Sequence, residues 1–152
     1  MALVRLNARS YVLEVESNTP GSWLDVPNMR TFNVNPDANA VTAEITDFDN
    51  AGYYDEEVMQ RGAELQVESF DIVDDATGEA AGAFARLLTL ANATGPASGG
   101  TIRFRNTYSD EWIVWDVTVR NTAQGGGTND KSALNFTFTR KGAPTTEAVA
   151  SS

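Results

Sequence analysis

Asp47, Asp49 and Gly52, within Asp47-Phe-Asp-Asn-Ala-Gly52, are the closest this chain comes to a metal loop. Carboxylates two residues apart with a glycine soon after are how a calcium loop begins, because the hard cation wants several oxygens around a sharp turn. The pattern stops there. Ala51 stands where a further ligand is needed, and Val58 stands where a bidentate Glu should close the shell. Asp and Gly serving a turn for local backbone reasons account for the segment. Gly95-Pro-Ala-Ser-Gly-Gly100 has the glycines of a phosphate loop, but no Lys and Ser/Thr follow, and it leads into a strand pattern instead of a helix. The chain has no His and no Cys. That removes Ser-His-Asp and Cys-His catalysis, thiolate ligands and disulfides. Paired carboxylates of the glycosidase kind are what remains. The Asp and Glu residues, however, fall at turns or on alternating strand faces, where solvated charge is expected anyway. The reading is no enzyme, no metal and no cofactor. Trp23, Trp112 and Trp115 offer a different chemistry, stacking against sugar rings. Trp115 shares its strand face with Ile113 and Val117, which suits a core; Trp112 lies on the other face and is the better platform.

Those residues sit in 152 positions, the usual size of one domain, with 41% hydrophobic and 21% charged residues. A formal charge of −10 should repel nucleic acid phosphates. No segment approaches the roughly 18 apolar residues that span a bilayer. Arg5 and Arg9 lie in the first ten residues with no apolar run behind them, unlike a secretory signal.

The elements that must position these groups are mostly strands. Tyr11–Glu16, Thr31–Val34, Val41–Thr46 and Glu64–Phe70 alternate or are rich in strand formers. In the last of these, Leu65 and Val67 share one face while Glu64, Gln66 and Glu68 share the other. Thr101–Arg105, Glu111–Arg120 and Ser132–Arg140 alternate most cleanly, the first two joined by a hairpin at Asn106–Asp110. Ile113, Trp115, Val117 and Val119 form one apolar face, and Leu134, Phe136 and Phe138 another. Phe84, Leu87, Leu88 and Ala91 make the stripe of one helix from about Glu79 to Asn92, with Asp74, Asp75 and Thr77 as candidate caps. A second helical turn is expected over Asp55–Arg61, and a flexible tail from residue 143 to 152. The expected whole is a single domain over residues 1–142, with residues 1–10 as an N-terminal arm. It is mainly β, a β-sandwich or small barrel of two packed sheets flanked by one α-helix.

Phe48, Tyr53, Tyr54 and Met59 cluster in a long connection, and Val4 and Leu6 stand in the N-terminal segment. Large apolar groups in such places either fold back on the core or wait for a partner. In chain order come Pro20-Gly-Ser-Trp23 with Val26, Phe32 before a polar turn, and Thr46-Asp-Phe-Asp-Asn-Ala-Gly-Tyr53. Arg61-Gly62 then enters a strand, Asp74-Asp-Ala-Thr-Gly-Glu79 enters the helix, and Gly125-Gly-Gly-Thr-Asn-Asp130 precedes the last strand. In this order and spacing the chain resembles the major tail tube proteins of long-tailed, siphovirus-type bacteriophages, particularly those of actinobacterial phages.

The resemblance implies a structural virion protein that self-assembles into hexameric rings whose inner strands join into a continuous barrel. The rings stack into a tail tube through which DNA is delivered. It implies a tape measure protein in the lumen, tail terminator and tail-tip proteins at the ends, and passing DNA that is not specifically bound. No membrane is involved, and assembly takes place in the bacterial host cytoplasm. Phe48, Tyr53, Tyr54 and Met59, with Val4 and Leu6, would then face neighbouring subunits or rings. Glu64, Gln66 and Glu68 are candidates for the lumen wall, where negative charge keeps DNA from adhering. The alternatives are a monomeric carbohydrate-binding β-sandwich module and a tube protein of a contractile or secretion machine.

Overall fold

Alternation is written into most of the strands and shows directly in their burial. In Ala63–Phe70, for instance, Leu65 and Val67 are buried while Gln66 and Glu68 are exposed. The computed structural model describes residues 2–150. In chain order its elements are β1 (Tyr11–Glu16), β2 (Trp23–Asp25), β3 (Met29–Pro36), β4 (Val41–Glu44), β5 (Glu56–Gln60) and β6 (Ala63–Phe70). The helix α1 (Ala83–Asn92) follows, then β7 (Gly99–Asn106), β8 (Glu111–Gly125) and β9 (Ala133–Ala148). β4 and β5 pair only with each other. The other strands form one antiparallel sheet in the order β2-β1-β7-β8-β9-β6-β3.

The two long strands hold this sheet together and let it fold over. β7 pairs with β8 only as far as Thr118, and β6 pairs with β9 only between Ala133 and Thr139. The sheet is therefore stepped. β1, β2 and β7 flank one half of the β8–β9 hairpin, and β6 and β3 flank the other. The β8–β9 register shifts between Val114 and Asp116 and again between Asn121 and Ala123, and such irregularities bend a strand and increase its twist. As a result Tyr11 of β1 stacks on Phe32 of β3 at 4.5 Å, although the two strands lie near opposite ends of the order. Phe32 also meets Phe104 of β7 edge-on at 5.6 Å. The chain is mainly β with one flanking helix, as expected. The two sheets expected of the sandwich are halves of one continuous sheet, and among the described residues no ladder closes it into a barrel.

Between the halves lie Leu13, Val15, Leu65, Val67, Ile102, Trp115, Val117, Leu134, Phe136 and Phe138, all buried. Ile113 is on the same face but at the open rim, 40% exposed. The helix covers one side with Phe84, Leu87 and Leu90 buried and Leu88 and Ala91 packed partly against the core. It starts at Ala83, later than the expected Glu79. The Asp74 carboxylate accepts the N–H groups of Ala76 and Thr77 at 2.8 and 3.3 Å, so it closes a turn instead of capping the helix. Gly82 is the N-cap, at φ 62, a conformation glycine adopts without strain.

Two further expectations are corrected. Asp55–Arg61 is not a helical turn. Its central residues are β5, recruited by β4 through a non-local ladder, and Asp55 closes the hairpin by accepting the Ile45 N–H at 3.0 Å. Nor is the chain loose from residue 143. β9 continues to Ala148, with Ile113 opposite Thr146 and Glu111 opposite Ala148. Pro144 is tolerated because it falls at the register shift, where the ladder is already interrupted. Residues 151 and 152 of the expected tail lie outside the described residues.

Candidate assembly interface

The β4–β5 hairpin stands away from the core. Every residue of β5 is exposed, as is most of β4. Its base is tied to the body by the Arg61–Asp37 ion pair at 3.1 Å and by Gln60 Nε2 donating to the Asn39 carbonyl at 3.4 Å. Its tip is the run that resembled a calcium loop, and local hydrogen bonds fix its turn. Asp47 accepts the Asp49 N–H at 3.0 Å, and its own N–H donates to Asn50 Oδ1 at 2.6 Å. Asp55 N–H donates to Thr46 Oγ1 at 2.7 Å. This frame turns the tip's apolar side chains outward: Phe48 is fully exposed, with Tyr53 and Tyr54 largely so. Met59 on β5 is exposed too, as are Val4 and Leu6 in the N-terminal segment. An isolated two-stranded hairpin is marginal in water, and this one presents large apolar groups to solvent.

Residue spacing alone missed part of this surface. Leu3, Val41, Ile45 and Val58 add to it; the clue available was the alternation of Val41–Thr46, which had no paired strand to show its exposed face. Also missed was that Glu44 faces Glu56 across the ladder. The Tyr54 hydroxyl donates to Glu56 Oε2 at 3.0 Å, and that bond, with the nearby carboxylates, pushes the Tyr54 phenol above its ordinary pKa.

A second surface lies on the back of the half-sheet β8-β9-β6-β3. Glu64, Gln66 and Glu68 are there, and the register fixes their neighbours. Asn35, Asn33 and Thr31 lie opposite them on β3, and Thr139, Thr137 and Asn135 lie opposite them on β9. Arg120 of β8 comes next, opposite Thr137. Arg120 Nη2 reaches Glu64 at 3.3 Å, and Thr31 Oγ1 donates to Glu68 at 3.1 Å. The result is a broad polar face with acidic positions. Both lateral margins of this half-sheet are unpaired among the described residues. β3 pairs on one side only, and β8 beyond Thr118 pairs only with β9. Unpaired edges of this kind are templates for another strand.

The tryptophans form no open platform. Trp112 is on the opposite strand face from Trp115, as its position predicts, but it is buried. The Arg103 guanidinium lies 4.4 Å from its ring and that of Arg105 5.0 Å, while Arg103 also covers Trp23 at 4.2 Å. Arg103 in turn binds Glu14 of β1 at 2.6 Å and Glu147 of β9 at 3.3 Å. The cluster ties β1, β2, β7, β8 and β9 together, and the buried Trp112, the expected platform, offers no open ring face for a sugar.

The fold is shared with chains of phage-like particles. Over 95% of this chain and all of the other, it superposes with a TM-score of 0.68 at 14% identity on a chain from the tail of an empty gene transfer agent particle, resolved with C6 symmetry. A chain from the virion of a native gene transfer agent particle matches over the same shares at 0.62 and 12% identity. No family model matches the sequence, and no curated protein does. At these identities the likeness lies in the fold.

Proposed function

We propose that this chain is a non-enzymatic structural subunit of a phage-like tail tube, which closes into hexameric rings that stack around a DNA-conducting lumen. The observation that carries this reading is the whole-length match to a chain of a sixfold-symmetric tail. The surfaces of the molecule support it. The free margin of β3 in one copy pairs with residues 119–125 of β8 in the next, so that the half-sheets join around a ring and neither of these two margins stays open. The polar face with Glu64, Gln66 and Glu68 then lines the lumen, where it excludes tight phosphate contact. It accommodates a tape measure protein during assembly and DNA afterwards. Phe48, Tyr53, Tyr54 and Met59 on the arm, with Val4 and Leu6, are buried between subunits or rings. Terminator and tip proteins close the ends, and the finished tube belongs to the virion. Negative-stain electron microscopy of concentrated protein tests this reading. Sixfold rings or tubes are expected, and particles that remain single subunits at every concentration would refute it.

A further inference from the structure

The β4–β5 hairpin and the N-terminal segment carry opposite charges, and no ion pair among the described residues compensates either. Between Val41 and Gln60 stand Glu44, Asp47, Asp49, Asp55, Glu56 and Glu57, with no Lys or Arg among them. None of these carboxylates enters an ion pair among the described residues. Glu44 and Glu56 are directly opposed, and like charges across a ladder repel. Opposed residues share a face and neighbours alternate, so Thr42 and Val58 lie beside the two glutamates.

Residues 2–9 are the complement. They hold Arg5 and Arg9, no acid, and the exposed apolar side chains Leu3, Val4 and Leu6. Both arginines are exposed and unpaired among the described residues, and residues 2–7 belong to no helix or strand. The segment has free backbone, apolar side chains and cations. The hairpin has exposed apolar side chains and a repelling pair of anions that a cation would relieve.

We infer that the N-terminal segment of one copy docks on the β4–β5 hairpin of a neighbouring copy, with Arg5 and Arg9 against Glu44 and Glu56 and with Leu6 over Val58. The occupant is a second copy of this chain. The inference rests on the tube reading and adds to it the two surfaces that meet.

Charge reversal and rescue test it, read by light scattering and electron microscopy. Arg5→Glu with Arg9→Glu raises the concentration needed for half-assembly by about tenfold or more, with an unchanged circular dichroism spectrum. Glu44→Arg with Glu56→Arg does the same, all four reversals in one chain restore assembly, and Arg5→Lys with Arg9→Lys stays near wild type. Tubes formed equally well by wild type and the Arg5→Glu, Arg9→Glu variant overturn this inference and leave the tube reading standing. A wild type that never assembles overturns both. Because the chain lacks cysteine, Leu6→Cys and Val58→Cys chains can be mixed and oxidised. A disulfide between the two chains is expected. If the bond forms only within a chain bearing both cysteines, docking between copies is wrong.

Discussion

Asp25 lies across the β1–β2 ladder from Glu14, and partial burial, followed by the Glu14 charge, raises its pKa above the ordinary carboxylate value. A carboxyl that holds its proton more tightly when folded gives its full stabilisation below the unfolded pKa and loses it as pH rises through the folded one. At neutral pH the charged Asp25 therefore works against the fold. Asp25→Asn is expected to raise the thermal midpoint at pH 7, and the gain should vanish when wild type and variant are melted just below the carboxylate range. Phe136 is buried and packs 6.3 Å from Phe138. Phe136→Ala is expected to cost roughly 3–5 kcal/mol in denaturant unfolding of the monomer. Tyr53 and Tyr54 behave in the opposite way because they touch no core. Replacing both with Ala should leave the unfolding curve of the monomer in place while slowing or abolishing tube formation by light scattering.

At the level of elements, the strands with one buried face were legible because period-two alternation survives in them: Leu65 and Val67 against Gln66 and Glu68, or Leu134, Phe136 and Phe138. What escaped the sequence was whatever depends on a distant partner. β5 carries helix-like end signals in Asp55 and Gly62, yet its conformation is set by β4. Residues 143–148 are small and polar with no periodicity, and they are strands because β8 offers an edge and Arg103 takes Glu147. Asp74 reads as a cap and serves a turn. The candidate interface was legible in part for the same reason. Phe48, Tyr53, Tyr54 and Met59 stand out as apolar groups in a connection, and Glu64, Gln66 and Glu68 as a polar face. The Glu44–Glu56 opposition and the free margins of β3 and β8 exist only once the register is known. Removing residues 143–150 should lower the thermal midpoint of the monomer, because it strips β8 of its partner there; an unchanged melt would mean that this end of β9 adds nothing.

For the molecule as a whole, a charge of −10 on every copy opposes association. Salt screens exposed charges beyond about 8 Å at physiological ionic strength, and closely docked pairs much less. Wild-type assembly followed by light scattering should therefore be faster at higher ionic strength, and faster assembly at low salt would contradict this. The account holds that a curled, open sheet with two free margins and an apolar hairpin is completed by copies of itself. Hydrogen–deuterium exchange, comparing dilute monomer with assembled protein, tests that most directly. The amides of β3, of residues 119–125 and of the β4–β5 hairpin are predicted to gain protection together on assembly. If they exchange as fast in the assembled protein as in the monomer, the sheet is not completed at those margins and the account is wrong.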